Sequence, residues 1–265
     1  AGRLRVLCPT GLTNEKSCVK CCVRSFCAAG GEPMIHYPEK QRYTAEDLAA
    51  IIAILRDPET GCPWDRVQTH QSIRMNFLEE AYEAVDALDL DDPDLMREEL
   101  GDVLMQVVFH ARIEQEAGRF DWSAVCDAVC RKLIWRHPHI FGAAPGAEGI
   151  NDWDALKNME KGRTTLQADL EAVPRAMPAL MRAAKLQKRA EKHGEPQPPV
   201  RPEDLADAAA RLQSAAPGSP AAEAALGRLL FLAAALGRSA GLDPEQALER
   251  ANDAFIRDAA HIPTA

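Results

Sequence analysis

The chain has 265 residues, of which 46% are hydrophobic and 27% are charged, so it is long enough to bury at least one core. Its 40 acidic residues outnumber its 31 lysines and arginines and give a net charge of -9. This charge argues against a general binder of nucleic-acid polymers or membrane surfaces, because phosphates would be repelled. We also expect no membrane span, since no apolar stretch approaches the about 18–20 residues that a bilayer requires.

The first 42 residues differ from the rest, because they hold five of the eight cysteines and show no helical or strand periodicity. They also lack the apolar core of a signal peptide. We interpret them as a disordered segment or a mis-called translation start, although the CxxCC motif at Cys18–Cys22 could bind zinc. The other cysteines, Cys62, Cys126 and Cys130, are typical of a reduced cytoplasm, and we expect a cytoplasmic protein.

Helical periodicity dominates from about Tyr43 onward. The turn-rich stretch "DPETGCPWD" separates the first two predicted helices. Asp92 is placed as an N-cap, Pro93 as the first residue of the third helix, and Gly118 as its stop. Four helices are therefore predicted in the first half of the chain, over residues 44–56, 69–88, 93–117 and 122–135.

The second half is also predicted to be helical, over residues 173–194, 221–237 and 243–258, with proline-rich or loose stretches between. Strand alternation is absent from the sequence, which favours an all-α helix bundle in which short loops make neighbouring helices antiparallel. An internal echo links "EELGDVLMQVVFHAR" at 98–112 with "AALGRLLFLAAALGR" at 224–238. The echo indicates two related helical units.

This organisation gives four predicted regions. They are an N-terminal segment (1–42), a helical domain that holds the candidate site (43–142), a connecting segment with a helix (143–199) and a degenerate second helical unit (200–265). In the second unit, Ala225 and Arg228 stand where the first has Glu99 and Asp102. Because arginine cannot serve as a metal ligand, we expect the second unit to be catalytically silent.

Four acidic side chains are expected to converge in the first unit. Glu80 and Glu83 are three residues apart on one predicted helix, and Glu99 and Asp102 are three apart on the next, so each pair shares a helix face. Carboxylates crowded together repel one another, and a hard divalent cation such as Mg²⁺ removes that conflict. The alternative is that these acids are solvated helix surface, but the apolar run after Asp102 indicates a helix at the edge of a core.

These residues resemble a known family. "EEAYE" at 79–83 and "ELGD" at 99–102 are similar to the EExxE…ExxD signature of the all-α nucleoside triphosphate pyrophosphohydrolases, and of their MazG group in particular. The resemblance also covers "GCPWD" at 61–65 and "RHPHIFG" at 136–142, in the same order. It is dense over residues 43–193 and weak beyond them.

The resemblance implies a MazG-like fold and hydrolysis of nucleoside triphosphates between the α and β phosphorus atoms by a metal-activated water. It implies Mg²⁺, with Mn²⁺ as a substitute, as cofactor. The continuous apolar run of the third predicted helix, and not the resemblance, favours a homodimer. The implied ligands are Glu80, Glu83, Glu99 and Asp102. Glu79, with Glu80, is assigned a catalytic role, in which Glu79 orients or deprotonates the water.

Three further residues are candidates for substrate binding. Lys132 and Arg136 lie four apart on one helix face and could grip phosphates, although a solvated basic face explains them too. Trp64 could stack on the base, although a tryptophan after proline at a helix entry also serves as a packing anchor. The preferred nucleotide is left open. Two other readings remain: a non-catalytic helical interaction protein that retains the scaffold, and a metal protein built on the N-terminal cysteines.

Overall fold

The computed structural model describes residues 37–142, 159–162, 165–195 and 199–259. Within these residues the chain is helical and contains no strand, which confirms the predicted all-α class. The predictions for residues 1–36, including the cysteine cluster, lie outside the described part. The helices are α1 (Ala45–Leu55), α2 (His70–Leu90), α3 (Pro93–Glu116), α4 (Trp122–Arg136), α5 (Pro138–Phe141), α6 (Leu166–Glu171), α7 (Ala179–Lys192), α8 (Pro202–Ser214), α9 (Pro220–Ser239) and α10 (Pro244–Ala259).

The chain divides into two compact units, Ala1–Trp135 (unit 1) and Arg136–Ala265 (unit 2), so the division falls at the last residue of α4. The sequence placed its domain boundaries elsewhere, at 142/143 and 199/200, and those bounds remain a prediction. The sequence also missed α8, because its proline-rich start resembled a linker. Pro202 is tolerated there because it occupies the first turn of a helix, where its missing N–H is not needed.

Local capping chemistry fixes the helix ends in unit 1. Thr44 caps α1 in a capping box with Asp47, whose carboxylate also accepts a hydrogen bond from the Tyr37 hydroxyl at 2.7 Å. Between α2 and α3, Asp91 adopts a left-handed conformation and Asp92 caps α3 by accepting from two backbone N–H groups. Asp92 as N-cap and Pro93 as the first helical residue are therefore confirmed, and this short turn makes α2 and α3 antiparallel neighbours.

The core of unit 1 lies where α1 and α2 pack on α3. Its buried residues come from α1 (Ile52), α2 (Ile73) and α3 (Val108 and Phe109). Partly buried side chains, including Met105, Trp64 and Trp122, pack around this cluster. The apolar run that follows Asp102 is thus buried on one side, and the acids that precede it stand at the edge of the core.

Arg56 ties the loop between α1 and α2 to the end of α3. Its guanidinium donates to the backbone oxygens of Asp65 and Gln68 at 2.7 and 3.1 Å and forms two hydrogen bonds to the Glu116 carboxylate at 2.7 and 3.1 Å. It also lies over the Phe109 ring, 4.9 Å from the ring centre. Because Arg56 is 6% exposed, this charge is buried and matched on every side.

In unit 2, α9 packs on α7 and α8. The side chain of Gln187 on α7 is fully buried and donates to the backbone oxygen of Phe231 on α9 at 2.9 Å. Among the described residues, α9 alone is long and apolar enough, by length and composition, to cross a membrane. The expectation that no stretch approaches this length is therefore wrong. A single such helix does not establish a membrane span, because core helices of soluble proteins pass the same test.

Candidate active site

The candidate site lies on the hairpin formed by α2 and α3. The turn at Asp91 and Asp92 places the end of α2 beside the start of α3. Glu80 and Glu83 lie on α2 and Glu99 and Asp102 on α3, each pair one helical turn apart. The hairpin thus presents acidic side chains from both helices close to its closed end.

Three of these acids converge. Glu80, Glu83 and Glu99 are all half-buried, and each offers a carboxylate oxygen that lies within 4.8 Å of the oxygens from the other two. An all-oxygen donor set of this kind suits a hard divalent cation, which would balance the mutual repulsion of the carboxylates. The donor chemistry and the spacing of these oxygens therefore fit Mg²⁺ or Mn²⁺.

The other two predicted acids stand apart from this group of three. Asp102 is half-buried one turn further along α3, and its oxygens do not belong to the group. Glu79 is exposed on α2, beside Glu80 in sequence. Asp102 as a ligand and Glu79 as a catalytic residue remain predictions.

The three candidate substrate-binding residues occupy different surroundings. Lys132 is half-buried on α4. Arg136, the last residue of α4, is buried, and its Nε donates to the Glu160 carboxylate at 2.7 Å, so its charge is already matched within unit 2. Trp64 is half-buried and packs against the core of unit 1. The binding roles of all three remain predictions.

The structure also contains a polar cluster that the sequence did not reveal, at the open end of the same hairpin. Nδ1 of His70, the first residue of α2, lies 2.7 Å from Nδ1 of His110 on α3. The other ring nitrogen of His70, Nε2, lies 2.6 Å from the Glu114 carboxylate, which also pairs with Arg119. The two imidazole rings are stacked, with centres 5.0 Å apart.

Ionisation in this cluster is set by its neighbours. The Arg119 guanidinium and, to a smaller extent, His70 lower the pKa of Glu114 to about 2, so this carboxylate is charged at neutral pH. Burial, with His70 as a second cause, lowers the pKa of His110. The sequence offered one sign of this cluster, since His110 and Glu114 are four residues apart and share a helix face. It could not show that His70, 40 residues earlier, meets them.

A cavity of about 420 Å³ opens beside the cluster. His70 and His110 form one wall, and Phe77, Val107, Phe120 and Val125 supply an apolar lining. Phe77 also meets the His110 ring edge-on, with ring centres 5.8 Å apart. The volume lies in the range of about 300–1,000 Å³ that is common for small-molecule sites.

Comparison with known proteins identifies relatives of this chain. Residues 68–141, which hold α2, α3 and α4, match the MazG nucleotide pyrophosphohydrolase domain. Over 219 residues the chain is 40% identical to the nucleoside triphosphate pyrophosphohydrolase of Escherichia coli K12, an alignment that covers 79% of this chain and 83% of that protein. It is 39% identical over 212 residues to the nucleoside triphosphate pyrophosphohydrolase/pyrophosphatase MazG of Thermotoga maritima, covering 80% and 82%.

A third relative matches over a shorter stretch. The nucleoside triphosphate pyrophosphohydrolase of Mycobacterium tuberculosis is 39% identical over 172 residues, 63% of this chain and 51% of that protein. The acids of the hairpin lie inside the region that matches the family domain. The chain belongs to the MazG family of nucleotide pyrophosphohydrolases.

Proposed function

We propose that unit 1 hydrolyses nucleoside triphosphates between the α and β phosphorus atoms and releases a nucleoside monophosphate and pyrophosphate. The observation that carries this proposal is the convergence of Glu80, Glu83 and Glu99 inside the region that matches the family domain. The named relatives support the same reaction. No phosphate-binding loop of the GxxxxGK[ST] type occurs in the sequence, which argues against the common nucleotide-hydrolysing folds that use it.

The metal in this proposal is Mg²⁺, with Mn²⁺ as a substitute. Glu80, Glu83 and Glu99 would hold it, and Asp102 would join them as a fourth ligand. When bound, such an ion supplies positive charge against the phosphates and lowers the pKa of a coordinated water.

The remaining roles belong to side chains of the chain itself. Glu79, next to Glu80 and exposed to solvent, would orient the attacking water and accept its proton. Lys132 would donate hydrogen bonds to the leaving phosphates. Arg136 already pairs with Glu160 within unit 2, and its role as a phosphate ligand is proposed from the sequence alone. Trp64 would have to reach the base from its position against the core.

Product analysis tests the proposed function directly. The full chain is incubated with each nucleoside triphosphate and Mg²⁺, and the products are separated by chromatography. We expect nucleoside monophosphate and pyrophosphate, in equal amounts and only when the metal is present. Nucleoside diphosphate and orthophosphate as first products would refute the proposed bond specificity.

We further propose that unit 1 pairs with a second copy of the chain. Large apolar side chains stand exposed at helical spacing on its helices, including Tyr82, Val85 and Leu88 on α2 and Leu100 and Leu104 on α3. A surface of this kind is common where a partner covers it. Light scattering after size exclusion should give twice the mass of one chain; a monomer at micromolar concentration would contradict this assembly. The described cysteines are free, which supports the cytoplasmic location proposed from the sequence.

A further inference from the structure

The side chain of Gln106 on α3 is buried without a hydrogen-bond partner. Only 7% of this residue is exposed, yet its amide forms no hydrogen bond with any side chain or backbone group in the described part of the chain. Neither amide atom belongs to the fully enclosed polar atoms that lack a partner, so the amide can still reach a group outside the core. Because an unpaired amide lowers the stability of a packed site, Gln106 requires an explanation other than packing.

Gln106 shares a helix face with two of the candidate metal ligands. It follows Asp102 by four residues and Glu99 by seven, which is one turn and two turns of α3. It does not line the cavity beside the histidine pair. Counted from Gln106 along this face, the first acid is therefore Asp102.

Unit 2 lacks the amide together with the acids. At the offset of 126 residues, Leu232 on α9 stands where α3 has Gln106, and it is buried to a similar extent, at 6% exposed. The two matching acids are also replaced there, by Ala225 and Arg228. A central helix therefore packs at this position without an amide, and the amide is present where the acids are present. This association links Gln106 to the function of the acids.

A side-chain amide has a defined use beside a carboxylate that binds a metal. Such a carboxylate can give one oxygen to the metal, and a hydrogen bond to its other oxygen fixes its orientation. Glutamine supplies the donor, and glutamine and aspartate at a spacing of four residues form a favourable pair on a helix. Asp102 is the acid that needs this help most, because its oxygens do not belong to the group formed by Glu80, Glu83 and Glu99.

We propose that Gln106 is a positioning residue for Asp102. Its amide N–H donates to one oxygen of the Asp102 carboxylate and directs the other towards the group of three acids, so that Asp102 completes the metal site. This inference rests on the proposed function, in which Asp102 is the fourth ligand. Gln106 acts on Asp102 alone and does not touch the nucleotide, so its effect has to appear in metal binding when no nucleotide is present.

Titration with Mn²⁺ in the absence of nucleotide tests this role. The full chain and its variants receive increasing Mn²⁺, and the free ion is measured by electron paramagnetic resonance. We expect Gln106→Leu to weaken Mn²⁺ binding by about tenfold, a usual effect of losing a hydrogen bond that orients a ligand. Gln115→Leu is the matched control, because it makes the same replacement at an exposed position of α3, and it should keep the affinity within about twofold.

Urea unfolding separates this role from a structural one. Gln106→Leu introduces the residue that α9 carries at the matching position, so the urea midpoint should be unchanged or higher. Weaker Mn²⁺ binding with such a midpoint would support the inference. A lower midpoint together with weaker binding would assign Gln106 a structural role and overturn it.

A double-mutant cycle decides whether Gln106 acts through Asp102. In a chain that carries Asp102→Ala the acceptor is gone, so Gln106→Leu should change the Mn²⁺ affinity by less than about twofold. A tenfold loss in this background would overturn the inference, and so would a Gln106→Leu variant that changes only the KM for nucleotide. Normal Mn²⁺ binding by Gln106→Leu in an active enzyme would refute the inference and leave the proposed function standing. If the unmodified chain binds no Mn²⁺, the proposed metal site fails, and the role of Gln106 fails with it.

Discussion

Helices α3 and α9 carry the two similar stretches of sequence, 98–112 and 224–238, and differ at the positions of the acids. At an offset of 126 residues their burial agrees: Val108 and Ala234 are buried, whereas Leu100 and Leu226 are both about half exposed. Each helix is also a central one, since α3 packs on α1 and α2 and α9 packs on α7 and α8. The two similar stretches of sequence thus both lie in central helices, and they differ in the side chains that these helices carry.

The difference lies along the face that turns towards the neighbouring helices. In α3 this face holds Glu99 and the buried Gln106, and in α9 the matching positions are the buried Ala225 and Leu232. The apolar version packs without polar groups that must be satisfied. The acids of unit 1 are therefore not needed to form such a helix. Because they lower the stability of a packed face, their presence indicates that they serve a function.

The largest expected effect is a loss of hydrolytic activity on substitution of an acid in unit 1, with no such loss at the matching position in unit 2. Glu99→Gln removes one charge and almost no volume from the group of three carboxylates, so hydrolysis with Mg²⁺ should fall by about a hundredfold or more while helicity is unchanged. Arg228→Asn, at the position in α9 that matches Asp102, should keep activity within about twofold because Arg228 is exposed. Asp102→Asn should resemble Glu99→Gln.

Initial rates and circular dichroism check these variants together. The view that activity depends on unit 1 and not on unit 2 would be contradicted if Glu99→Gln kept near-full activity, or if Arg228→Asn lost most of it. The second result would place a catalytic contribution in unit 2, against the expectation that this unit is silent.

An effect of intermediate size concerns two arginines, one buried in unit 1 and one partly exposed in unit 2. Arg56→Ala removes four hydrogen bonds at a fully buried site and should lower the free energy of unfolding of unit 1 by about 2–4 kcal/mol. Arg238→Ala in unit 2 removes a contact with Glu191, whose side chain is 41% exposed, and should cost about 1 kcal/mol or less.

Hydrogen exchange resolves this prediction, because it reports the amides of each unit separately. We expect Arg56→Ala to lower protection in α1 and α3, and Arg238→Ala to lower it slightly in α7 and α9. Equal losses in both units would contradict the view that the buried contacts of Arg56 stabilise unit 1 more than the exposed contact of Arg238 with Glu191 stabilises unit 2.

The elements that the sequence predicted well are those with local signals. The caps Thr44, Thr69 and Asp92 mark the starts of α1, α2 and α3, and the ends of these helices fall within two residues of prediction. Spacing of three residues on each helix, together with the short turn, predicted that four acids converge. Glu80, Glu83 and Glu99 lie together, and the place of Asp102 among them stays a prediction. Chemistry that depends on short-range spacing can be predicted in this way.

Contacts between residues that are distant in sequence leave no local pattern from which they could be predicted. Arg56 meets Glu116 across 60 residues and His70 meets His110 across 40, and neither pair shares a periodic pattern. Trp64 illustrates the same limit, because its sequence context fits both a base-stacking role and a packing anchor. The fold decides these contacts through the packing of whole helices, so only the structure could show them.

The smallest expected effect concerns acid stability, and it sharpens the comparison at the ends of α3 and α9. Arg119 and His70 hold the pKa of Glu114 at about 2, below its ordinary value of 4.5. A carboxyl group with a lowered pKa stabilises the fold above its unfolded value, and this contribution is lost as the pH falls from about 4.5 towards 2. Arg238 lowers the pKa of Glu191 in unit 2 in the same direction, but Glu191 is more exposed to solvent.

Urea midpoints at pH 3 and pH 6 should therefore converge more for Glu114→Gln than for Glu191→Gln, relative to the unmodified chain. Tryptophan fluorescence is a suitable probe, since three of the four tryptophans lie in unit 1. If both variants altered the pH dependence equally, the ionised Glu114 would stabilise the fold no more than a surface acid does. Its contact with His70 would then contribute little to the position of the histidine pair.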